Sequence, residues 1–158
     1  MKTRNGGVFS INKNKKGFRR ACQNGDLETA KWILSEKPKT HIFSKNKYAL
    51  RVACKNGHLE VVKWLFSIGP DTDIAFKLAC ENGHLNVAKW LFSVNPDMDV
   101  ATYAFKNGFK SACKNGHLNV AQWLFSENQD IDISADSEYA FKSACWNGHL
   151  DVLKWLIS

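Results

Sequence analysis

The chain has 158 residues, 44% hydrophobic and 23% charged, which suits one soluble globular unit or a short array. It holds no run of 18 or more apolar residues to span a membrane, and no apolar stretch of signal-peptide length follows its N-terminus. The formal net charge is +7, yet residues 1–20 carry seven basic residues and no acid, which leaves fifteen of each sign over the rest.

Taken in chain order, residues 1–17 support two readings. One is a basic arm that would meet nucleic acid or an anionic surface. The other is a degenerate capping half-repeat that ends at Phe9-Ser10. From Phe18 onward, five segments align without gaps: 18–34, 50–66, 76–92, 109–125 and 141–157. Their cysteines, at 22, 54, 80, 113 and 145, mark the register, with spacings of 32, 26, 33 and 32 residues. Residues 18–158 therefore read as one repeat domain, with units at about 18–49, 50–75, 76–108, 109–140 and 141–158.

Each unit reads as two short antiparallel helices. In the third, the first helix runs from Phe76 through Cys80 and stops at Asn82-Gly83, where glycine can take the left-handed conformation that ends a helix. The second begins at His84-Leu85 and bears an acid or amide in its first turn, as do the others (Glu28, Glu60, Asn86, Asn119, Asp151). Its apolar residues cover more than one stripe, so it must be buried against both its partner and a neighbouring unit. Segments between units, such as 130–137, alternate in polarity and contain turn formers, which predicts short extended fingers. The short interval loses its residues between Ser67 and Phe76, where a tight turn is expected in place of a hairpin.

The frame Phe-x-x-Ala-Cys-x-Asn-Gly-His-Leu-x-Val-x-Lys-Trp-Leu resembles the ankyrin repeat over nearly the whole of residues 18–158. It departs from the family in three ways. The Thr-Pro that opens the first helix is absent, and the adjacent His is replaced by Arg19, Arg51, Lys77, Lys110 and Lys142. The family's finger becomes Pro-Asp-x-Asp-Ile or Val, at Pro70–Ile74 and Pro96–Val100. This variant is similar to divergent arrays of giant DNA viruses of amoebae and of protists. The fold implied is an all-α solenoid of five helix-turn-helix repeats with short or absent β-hairpin fingers. The function implied is non-enzymatic binding of another protein.

Five cysteines, an odd number with no Cys-x-x-Cys pair, fit an intracellular, reducing compartment better than a disulfide framework. The Cys–His spacing of four (Cys54–His58, Cys80–His84, Cys113–His117, Cys145–His149) invites a zinc reading. However, a glycine breaks the helix before each His, and the first unit has Asp26 instead, so the pairs need not share a face. The cysteines read as small buried hydrophobes, and the histidines as bonding nearby backbone. No metal, cofactor or catalytic residue is assigned: phosphate-loop, nucleophile-elbow and zincin motifs are all missing.

A binding surface remains. The position after each cysteine varies, holding Gln23, Lys55, Glu81, Lys114 and Trp146. Four residues earlier stands the basic column Arg19, Arg51, Lys77, Lys110 and Lys142, and the spacing places both columns on one helical face. Family analogy sets that face in the concave groove. The basic column reads more simply as a tie between units through backbone or acid contacts, and alternatively as a ladder for an acidic partner. Trp146 is the expected exposed anchor, and Trp32, Trp64, Trp90, Trp123 and Trp155 are expected to pack between units. Lys31, Lys63, Lys89, Gln122 and Lys154 read as a solvated outer row. The last unit stops at Trp155-Leu-Ile-Ser158 with no visible polar cap, which leaves self-association through that end as a further expectation.

Overall fold

A computed structural model describes residues 11–36, 46–68, 73–94, 101–127 and 133–158. These form ten helices in five pairs: α1 (Ile11–Asn24) with α2 (Leu27–Ser35), α3 (Asn46–Lys55) with α4 (Leu59–Ile68), and α5 (Asp73–Glu81) with α6 (Leu85–Ser93). The last two pairs are α7 (Ala101–Lys114) with α8 (Leu118–Glu127), and α9 (Ile133–Asn147) with α10 (Leu150–Leu156). There is no strand among the described residues.

In units two to five the repeated Asn-Gly ends the first helix by two devices. Gly57 sits at φ +75°, its N–H donates to Cys54 O at 3.3 Å, and His58 N–H donates to Ala53 O at 3.0 Å. This pair of bonds closes the helix end around a left-handed residue, as glycine alone does cheaply. The preceding Asn56 Nδ2 then caps the carbonyl of Val52 at 2.7 Å, and Asn82, Asn115 and Asn147 repeat the bond. A serine three residues after each repeated Trp closes the second helix, as Ser93 Oγ does by donating to Trp90 O.

Burial follows the register. Ala53, Cys54, Ala79, Cys80, Ala112 and Cys113 are fully buried, small enough for first helices to pack side by side. Phe76, Phe109 and Leu50 are the largest wholly enclosed side chains. First helices pack each on the next, α1 on α3, α3 on α5, α5 on α7 and α7 on α9, whereas second helices approach one another less. The first helices thus form one continuous side of the stack, here called the inner face.

The second-helix tryptophans pack backward onto the preceding unit. Trp64 meets Phe18 edge-on, Trp90 meets Phe66, and Trp155 meets Phe109 and Phe125. Trp123 lies among Phe76, Phe92 and Phe105. Trp32 departs from the expected packing: it is 62% exposed, because no described unit stands before it to supply the rings. Cys145 departs likewise, exposed where its four counterparts are buried, as no described unit packs on the far side of α9. Phe141 and Leu150 are uncovered beside it.

Four helix starts also differ from expectation. Residues 133–137 are helical, the opening turn of α9, and not part of an extended finger. Similarly, α7 begins at Ala101, well before Phe109, so part of the extra length of the long units is helix. The short interval is shortened partly because α5 starts only at Asp73, not by loss of a finger alone. At the other end α1 begins at Ile11, so residues 11–17 continue the first helix of unit one. Phe9-Ser10, Pro70 to Thr72, Pro96–Val100 and residues 130–132 lie outside the described residues.

Candidate functional site

The inner face is built from two columns on α1, α3, α5, α7 and α9. Gln23, Lys55, Lys114 and Trp146 are exposed and Glu81 is half-buried; among the basic column, Lys77 and Lys142 are exposed while Arg19, Arg51 and Lys110 are half-buried. Four of these ten residues converge. Lys77 and Glu81 from α5 face Lys110 and Lys114 from α7 across a half-open cavity of about 320 Å³. Ser111, Asn107 and Asn115 line its floor on the α7 side, and Tyr139 of α9 closes one wall. The remaining six lie along the same face, outside this cavity.

Tyr48 and Tyr139, which the columns did not include, belong to the face. Each precedes a basic residue of its own unit by three positions, so one helical turn brings it onto the same surface. The guanidinium of Arg19 lies 4.3 Å from the ring centre of Tyr48, and Lys110 Nζ lies 5.9 Å from that of Tyr139. Arg19 and Lys110 thus each reach forward to an aromatic of the next helix pair. Lys142 instead pairs with Glu138 of its own helix, which holds the Glu138 carboxyl below the usual carboxylate range. Arg51 Nε is shielded from water without a hydrogen-bond partner. The signal for the tyrosines was present, an aromatic one turn before two of the five basic positions.

The histidines do not bond their own helix. His84 and His149 stand at helix starts without a side-chain cap bond. Their rings reach back to the preceding unit, where Nε2 of His58, His84, His117 and His149 meets the carbonyls of Gln23, Lys55, Glu81 and Lys114 at 2.8–3.1 Å. Each ring also lies over the glycine of that unit: a Cβ on Gly25 would come within 2.6 Å of His58 Nδ1. These four bonds hold the backbone under Gln23, Lys55, Glu81 and Lys114, so they fix the variable column from below. Burial, opposed in part by the bond to Glu81 O, lowers the His117 pKa, as do its neighbours His84 and His149. In the first unit Asp26 caps α2 instead, accepting from Thr29 N–H at 2.9 Å.

The cysteines lie on the core side of the same helices. Burial pushes the thiols of Cys22, Cys54 and Cys113 up to about 12, and that of Cys80 up as well. Such thiols are poor nucleophiles and poor metal ligands at neutral pH. No group of three His, Cys, Asp or Glu side chains is placed to hold a metal among the described residues. The outer row is set apart from the inner face: Lys31 pairs with Glu28 at 3.4 Å and Lys63 with Glu60 at 2.8 Å.

The family model for ankyrin repeats (three copies) matches residues 18–102 and again 77–158. The chain belongs to the ankyrin-repeat family. Ankyrin repeats generally act by binding other proteins, and the family is generally non-enzymatic. No curated protein matches this ankyrin array significantly. No helix among the described residues is long and apolar enough to cross a membrane.

Proposed function

We propose that the protein is a non-enzymatic scaffold that binds a partner protein through the inner face of its first helices. The observation that carries this reading is the cavity between α5 and α7, where Lys77, Glu81, Lys110 and Lys114 meet, with Trp146 standing 91% exposed beyond it on α9. An aromatic side chain that makes so little contact with its own chain is the kind that anchors an interface. The backbone beneath the face is clamped by the histidine bonds, so side chains here can vary while the frame stays fixed.

The test is capture of partners from cell extract by the wild type and by a Lys55/Glu81/Lys114/Trp146 quadruple alanine variant whose helicity is first checked by circular dichroism. A control variant carries alanine at Lys31, Lys63, Lys89 and Lys154 on the outer row. The inner-face variant should lose its partners and the outer-row variant keep them. Undiminished capture by the folded inner-face variant refutes the assignment.

A further inference from the structure

The charge on the two faces is not shared evenly. Of the ten inner-face positions seven are basic and one, Glu81, is acidic. On the outer side Lys31 and Lys63 are matched by Glu28 and Glu60 on the same helix face. Residues 18–158 carry 17 basic and 15 acidic residues, so the body is nearly balanced, whereas the two inner-face columns are strongly cationic. The cavity itself holds three lysines against one glutamate.

We propose that the segment bound on this face is an extended acidic peptide whose carboxylates stand about three residues apart and are followed by an apolar side chain. The inference rests on the inner-face reading above and adds the chemistry of the partner. The spacing comes from two lengths. Packed helices lie about 8–10 Å apart, and an extended chain rises about 3.3 Å per residue. A carboxylate at every third position therefore meets one first helix after another, Lys77 on α5 and then Lys114 on α7. The next such position reaches α9, where Tyr139 and Trp146 offer exposed rings and the neighbouring Glu138 is paired with Lys142. Glu81 decides against nucleic acid as the occupant. A phosphate chain carries a charge on every residue and meets Glu81 with repulsion, whereas a peptide can turn a backbone N–H toward it.

The experiment measures fluorescence anisotropy of labelled synthetic peptides on the full chain. The probes are a peptide with glutamates three apart followed by leucine, its glutamine counterpart, a scrambled peptide with adjacent glutamates, and oligo-thymidine of equal charge. The glutamate peptide should bind about tenfold more tightly than the glutamine peptide, a ratio that shrinks as salt is raised. The variant K77E/K114E should lose it and gain a lysine peptide of the same spacing, which shows that the variant is folded. The inference is overturned if the glutamine or scrambled peptide binds equally, if oligo-thymidine binds more tightly, if the glutamate peptide shows no binding at millimolar concentration, or if K77E/K114E changes nothing. The parent reading fails separately. Alanine at Trp146 and the groove lysines would then leave partner capture intact, whereas loss of capture without acidic selectivity removes only this proposal.

Discussion

Substituting Gly83 by alanine disturbs two things that can be measured apart. The residue sits at φ +78°, and an added Cβ would lie 2.6 Å from Nδ1 and 2.9 Å from Cγ of His117. The left-handed backbone alone costs alanine about 1–2 kcal/mol. The imidazole cannot stay where it is, so Nε2 leaves the Glu81 carbonyl 3.1 Å away. A hydrogen bond of this kind contributes about 0.5–1.5 kcal/mol. The sum is about 2–3 kcal/mol, or a melting temperature lower by about 5–10 °C for a chain of this size. Urea unfolding followed by circular dichroism on the wild type, Gly83→Ala, His117→Ala and the double variant separates the parts. With the ring gone, Gly83→Ala should cost only its backbone strain, giving a coupling of about 1 kcal/mol. Gly148→Ala supplies an independent check, since φ there is +74° but nothing lies within 4 Å of the new Cβ. Strict additivity of the Gly83 and His117 substitutions refutes the view that the ring clamps one unit onto the next.

Three further outcomes follow from the packing and the titrating groups. Trp123→Ala, which empties a site between Phe76, Phe92 and Phe105, should cost about 3–5 kcal/mol. Trp32→Ala, at a mostly exposed side chain, should cost less than about 1 kcal/mol in the same urea assay; equal losses would contradict the backward packing of the tryptophans. Under native conditions a thiol-alkylating reagent at neutral pH should modify Cys145 and spare Cys22, Cys54, Cys80 and Cys113, read by peptide mass spectrometry, and rapid labelling of Cys54 would count against a closed core. The lowered His117 pKa means that the unfolded chain takes up this proton before the folded one does. Stability should therefore be flat above about pH 6.5, the ordinary histidine value, and decline as the pH falls below it. His117→Gln should reduce that slope, and an unchanged slope would assign the acid sensitivity elsewhere.

The fold was legible because the same chemistry recurs five times. Asn-Gly, Trp and the Ala-Cys pair each serve one packing role, and repetition makes chance agreement implausible. Helix starts were less legible. Residues 130–137 alternate in polarity and hold turn formers, yet 133–137 are the opening turn of α9, continuous with the repeat helix that follows. Column reasoning also treats every unit alike, whereas burial is supplied by neighbours. Trp32 and Cys145 therefore keep the sequence signature and lose the environment. The inner face was readable as an i, i+4 pattern on one helix. What a linear pattern could not show was depth: that Lys77, Glu81, Lys110 and Lys114 share one cavity, and that the histidines cross to the unit before them.

Those crossings give the stack a grammar. An internal unit offers a glycine and a bare carbonyl on one side and a histidine on the other, so any such unit can follow any other with its polar groups matched. Copies of units two to four can be duplicated or removed whole, and the array grows or shrinks without a new joint having to evolve. Unit one obeys a different rule. Its Asp26 caps its own α2 by accepting from Thr29 N–H, and so offers no donor to a carbonyl of another unit. A unit of that kind placed inside the stack would break the run of crossings and leave the carbonyl before it without an imidazole.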